Sequence, residues 1–70
     1  MPIVLAPIDV NMRIVKVLGD DKNKKHLESL GIIKDASIIV LSKQNGNVII
    51  KIKGSKLALD NKIASTIIVC

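Results

Sequence analysis

The raw material for chemistry in this chain is one histidine, one cysteine and six carboxylates. His26 sits in the stretch HLESLGIIKDA, directly after Lys24 and Lys25. A metal centre needs several converging ligands, and one imidazole supplies one of them. Glu28 stands two positions on, which turns it to a different side of a helix, and the two lysines add positive charge that opposes a cation. Cys70 is the only thiol, which excludes an internal disulfide, a CxxC redox pair and a zinc knuckle. A reactive thiol needs a base or a cationic neighbour, and none stands beside it. His26 and Cys70 are therefore weak metal-ligand candidates.

The carboxylates are Asp9, Asp20, Asp21, Glu28, Asp35 and Asp60. Asp20 and Asp21 open a helical stretch, where a carboxylate caps free N–H groups and suits the positive end of the helix dipole. Asp60 precedes NKIA and reads the same way, as a cap or turn. The glycines at 19, 31, 46 and 54 are scattered turn residues, not a phosphate-cradling loop. The sequence thus predicts neither catalysis nor a cofactor site.

These residues are carried by short elements. A turn at Asp9–Asn11 leads into a strand over 12–18 that stops at Gly19. KNKKHLESL follows as a short amphipathic helix. Leu27 and Leu30 are three apart, so both are expected to dock on the body of the protein, with Lys22, Lys25 and Ser29 outward. Lys24 and Glu28 are spaced to pair weakly. Gly31 stands where a left-handed residue ends a helix, and Ile32 is placed to pack back on Leu27. ASIIVLSK reads as a buried strand. Asn45-Gly46 is a strong hairpin signal. In NVIIKIKG, Val48, Ile50 and Ile52 share one face, and Ile49, Lys51 and Lys53 the other. A second turn is expected at Gly54-Ser55, and Leu57 and Leu59 share a face of the next strand. NKIA is one helical turn, and STIIVC is a last strand with Ile67 and Val69 inward.

Seventy residues with no Phe, Trp or Tyr must build their core from aliphatic side chains. β-Branched residues favour strands. Five short strands are too few for a normal sandwich, and curling them removes exposed edges. The expected fold is mainly β: a small SH3-like barrel of about five strands, with a short α-helix between the first and second strands, as one domain over 1–70. No run approaches the roughly 20 apolar residues of a membrane helix, and the proline-broken N-terminal stretch lacks the pattern of a signal peptide. A lone thiol suits a reducing compartment, so the expected location is the cytoplasm. The net charge of +5 admits an anionic partner. Lys51, Lys53 and Lys56 would form a phosphate-binding ridge, yet zero aromatics and a single arginine argue against nucleic acid. Apolar Ile49 and Ile68 leave homo-oligomerisation open.

LESLGI, an IIV strand, NGN, VIIKIKGSKLALD and a final A-x-x-IIV together resemble the FeoA family, and the opening MPIVLAPI is similar to its N-termini. The matching positions are Leu27, Leu30, Gly31, Gly54, Ser55, Leu57, Ala58, Ala64 and Val69. The resemblance implies an SH3-like barrel, a non-catalytic role in ferrous-iron uptake and a partner, the FeoB membrane transporter, met on its cytoplasmic side. It also implies an association with Fe²⁺, a transition metal, that the ligand spacing does not itself support. The same module is fused to iron-dependent repressors, which keeps a metal- or peptide-responsive regulatory module as an alternative beside a basic nucleic-acid-binding barrel. The partner surface is expected to include Lys25, Leu27, Leu30, Gly31, Ile32, Gly54, Ser55 and Lys56. The chain departs from the family pattern at Lys34-Asp35 and Asn11, where turn glycines are usual; both replacements are turn-tolerant residues.

Overall fold

The computed structural model describes residues 1–70. A 3₁₀ turn, Ile3–Leu5, precedes strand β1, Asn11–Val17. Helix α1 spans Asp21–Ser29, and the strands β2 (Ser37–Gln44), β3 (Asn47–Ile52) and β4 (Ser55–Leu59) follow as a meander. A single turn of helix, α2 (Asn61–Ala64), leads to β5 (Ile67–Val69). The strands form one antiparallel sheet in the order β4-β3-β2-β1-β5. The expected mainly β barrel with a helix between its first two strands is therefore what the chain forms.

β1 is the seam of the curl. Asn11–Arg13 pair with β2, whereas Ile14–Val17 pair with β5. The register shifts between Ile14 and Lys16, and again on β2 between Val40 and Ser42. Bulges of this kind bend a strand and increase its twist, which wraps five short strands around one core. That core is wholly aliphatic. Ile3, Ile14, Leu27, Ile32, Val40, Ile50, Ile67 and Val69 are all fully buried, and no polar side chain is buried with them.

β3 follows its sequence pattern, with Val48, Ile50 and Ile52 buried and Ile49 and Lys51 exposed. β2 differs from the expected fully buried strand. Ile38 and Val40 face the core while Ile39 and Leu41 are half-exposed, because only one face of the sheet is covered. The second turn also lies one residue earlier than expected. Ile52 and Ser55 are partners, so Lys53 and Gly54 are the turn, both at positive φ (49° and 78°). That is the two-residue hairpin geometry whose twist matches the strands. Asn11 is a strand residue, and the left-handed residue before β1 is Asp9 (φ 62°). Asp35 does take the left-handed geometry (φ 71°).

The N-terminal stretch, for which the sequence pattern defines no element, closes the barrel. In a 3₁₀ turn, side chains three apart eclipse, and Ile3 and the following Ala6 are both fully buried. Pro2 bridges Ile68 on β5, and Ile8 bridges Val40 on β2. The Val69 N–H donates to the Met1 carbonyl at 2.8 Å, and the Met1 ammonium donates to the Val69 carbonyl at 2.8 Å. No helix is long and apolar enough to cross a membrane.

Candidate partner-binding corner

The candidate site is built at the end of α1. Asp20 caps the helix, accepting from the Asn23 N–H at 2.8 Å, and the Asn23 side chain donates to the Leu18 carbonyl at 3.2 Å. At the other end the Ile32 N–H reaches the Leu27 carbonyl and the Gly31 N–H the Glu28 carbonyl, each at 2.9 Å. This pair of bonds ends a helix on a left-handed residue, which is Gly31 at φ 89°. The apolar contact that accompanies such an ending is made by Leu27 and Ile32, both fully buried.

That burial divides the expected surface residues. Leu27 and Ile32 present nothing to a partner; they hold the corner in place. Leu30 was expected to dock beside Leu27 but is 36% exposed. The helix ends at Ser29, and Leu30 lies past its last turn with ψ near 0°, so the spacing rule of a continuing helix no longer sets its direction. Lys25, Gly54, Ser55 and Lys56 are exposed, and Gly31 is half-exposed.

The structure brings the helix corner and the β3–β4 turn together. A Cβ built on Gly31 would lie 3.4 Å from Lys53 Cδ and 3.8 Å from Lys53 Nζ. The Lys53 stem therefore runs across the Gly31 backbone, and Gly54, Ser55 and Lys56 follow it directly. Lys53 is the residue missing from the expected surface. A reading that placed the turn at Lys53-Gly54 would have found it. Beside this corner a shallow groove of about 230 Å³ runs between α1 and β1, with Val15, Val17 and Ile33 as accessible apolar lining and Lys16, Lys24 and Glu28 at its rim. Ile33 is 43% exposed.

The chemistry-bearing residues lie elsewhere. His26 and Cys70 are both exposed, and no three His, Cys, Asp or Glu side chains come together in a group. The Cys70 N–H donates to the Arg13 carbonyl, which makes this residue an extension of the β1–β5 pairing. Asp60 caps α2 by accepting from the Ile63 N–H at 2.8 Å. The expected Lys24–Glu28 pair does not form. The one ion pair is Arg13 with Asp35, at 3.9 Å between exposed side chains, a geometry that adds little to stability. Lys51 and Lys56 are direct cross-strand partners on the outer face of the sheet.

The small curled five-stranded sheet closed around an aliphatic core is an SH3-like barrel. The chain belongs to the FeoA domain family, which it matches along residues 1–70. Among solved structures it is similar to an iron uptake regulatory protein, FeoA, with 24% identity, TM-score 0.90, and 99% of this chain and 93% of that one covered. The FeoA protein from Chlorobium tepidum superposes with TM-score 0.86 at 18% identity, covering 99% of this chain and 68% of that one. A manganese-dependent transcriptional repressor in complex with manganese gives TM-score 0.90 at 19% identity, but the match spans 100% of this chain and only 35% of the repressor. A comparison with curated protein sequences gave no match.

Proposed function

We propose that this chain is a small, non-catalytic accessory protein of ferrous-iron uptake that works in the cytoplasm by binding the cytoplasmic part of the FeoB transporter. The observation that carries the reading is the family match along the whole chain. Support for the contact surface comes from the corner itself. Leu30 and Ile33 are exposed apolar residues beside Gly31, and Lys53 crosses from the neighbouring turn. Fe²⁺ is the transporter's cargo in this reading.

The test is a two-dimensional NMR titration of labelled protein with the soluble cytoplasmic domain of the matching FeoB. Saturable shifts at residues 22–33 and 53–56 are expected. Because Leu30 lies outside the core, Leu30→Asp should keep the dispersed spectrum of the folded protein and lose those shifts. A titration with no shifts anywhere overturns the proposal.

The repressor likeness favours one second reading, a metal-responsive module, since that neighbour carries manganese in its complex. Anaerobic Fe²⁺ or Mn²⁺ that moves His26 or Cys70 signals saturably, without FeoB, would establish it. Salt-sensitive shifts at Lys51, Lys53 and Lys56 with duplex DNA would instead support a nucleic-acid-binding barrel.

A further inference from the structure

The two edges of the sheet are not equivalent. The β5 edge is taken by the N-terminal stretch through the Pro2–Ile68 bridge and the paired Met1–Val69 bonds. The β4 edge is free. Ser55–Leu59 pair with β3 on one side, and none of the backbone or side-chain hydrogen bonds outside the ladders involves them. The two-residue turn closing on the Ile52–Ser55 pair fixes which groups are left over. In such a hairpin Ser55, Leu57 and Leu59 exchange bonds with β3. The N–H and C=O groups of Lys56 and Ala58 then point away from it, and both residues are exposed.

The side chains beside that edge specify what it accepts. Lys56 stands opposite Lys51 on the outer face, and Ala58 opposite Ile49, which is 41% exposed. Like charges directly opposite are unfavourable, and an opposite charge at the next position in the row relieves them. We infer that the β4 edge is a strand-addition site for an extended acidic peptide segment, which places a carboxylate beside Lys56 and an apolar side chain beside Ala58. Backbone bonds to Lys56 and Ala58 would supply affinity, and the Lys51–Lys56 row would supply selectivity.

Lys56 also argues against a second copy as the occupant. An edge lysine deters pairing with an identical edge, and two β4 strands laid together would gather Lys51, Lys56 and their copies on one face. The edge shares Lys56 with the corner's proposed contact surface, whereas Ala58 belongs to the edge alone.

The probe is an acetylated, amidated eight-residue peptide alternating Glu with Val, compared with one alternating Lys with Val. Labelled protein is titrated with each, and amide exchange is followed at Lys56 and Ala58. The acidic peptide should shift those two amides saturably and slow their exchange, while the lysine peptide leaves them unchanged. Lys56→Glu, a surface change compatible with the fold, should weaken the acidic peptide by about tenfold and admit the lysine peptide. Three outcomes overturn the inference. One is no shift at Lys56 and Ala58 with the acidic peptide, and another is equal shifts with both peptides. The third is exchange protection at this edge that grows with protein concentration alone, which would assign it to a second copy. Loss of FeoB binding at residues 22–33 with the β4 shifts retained would count against the accessory-protein proposal and leave this one standing.

Discussion

The two edges of one sheet end in opposite ways. At β5 the chain spends its own N-terminal residues to complete the hydrogen bonding, and Ile3 and Ala6 are buried in the process. At β4 nothing of the chain returns, and the edge carries Lys56 facing Lys51. The sealed edge contributes to the core. The open strand also buries Leu59 and packs Leu57 against the core, but nothing of the chain covers its edge, and its outer face keeps a charged row. The stretch that seals β5 also reaches across to β2 at Ile8.

Substitutions on the two sides sharpen the contrast. The largest effect is expected on the sealed side. Ile3→Ala should cost about 3 kcal/mol in urea denaturation, as for other large-to-small core changes, whereas Ile49→Ala on the open side should stay within about 0.5 kcal/mol. Equal losses would break the comparison. Next comes the tether of the open half. The Asn61 side chain donates to the Gly46 carbonyl at 3.3 Å, and its backbone N–H donates to the Asn47 side-chain oxygen at 3.1 Å. A Cβ at Gly46 would lie 2.5 Å from Asn61 Nδ2, on a backbone with φ 80°. Gly46→Ala should therefore cost about 1–2 kcal/mol, read as a lowered midpoint in a melt followed by far-ultraviolet circular dichroism.

A smaller effect of the opposite sign is expected at the open edge itself. Lys51→Glu converts a like-charge pair into an attractive one and should raise stability by about 0.5 kcal/mol at low salt, with the gain fading as salt is added. A loss of stability there would mean that the two lysines do not feel one another. Smallest of all, Arg13→Ala on the seam strand should change stability by less than about 0.5 kcal/mol, because its partner Asp35 is held at 3.9 Å in water.

Where local chemistry decides the outcome, the sequence was readable. Asn45-Gly46 forms its hairpin, Asp20 and Asp60 cap their helices, and Gly31 ends α1 with Ile32 packed on Leu27. The alternation of β3 carries over residue by residue. Elsewhere the structure departs from the local pattern for physical reasons. Leu30 shares a face with Leu27 only while the helix continues, and it does not. The β3–β4 turn is set by which residues pair on either side of it, so Gly54 marks the turn without fixing its register. The role of Ile3 depends on a strand more than sixty positions away, which no local pattern encodes. The candidate corner was legible as a set of residues but not as a place. Nothing in the order of residues puts Lys53 across Gly31; the curl of the sheet does that.

The seal on β5 also sets a schedule. β2, β3 and β4 are joined by two-residue turns and can pair as soon as they exist, while the Pro2–Ile68 bridge joins opposite ends of the described chain. Contacts between distant residues pay loop-closure entropy before they return anything. The meander should form early and the N-terminal stretch should lock last. Ile3→Ala is then expected to accelerate unfolding and leave the folding rate nearly unchanged, the signature of an interaction absent from the transition state. With no aromatic residue to report it by fluorescence, stopped-flow circular dichroism is the measurement that would show it. The bolt that closes the barrel would also be the first to slip, so the time the protein stays folded is governed at the edge opposite the one it leaves open.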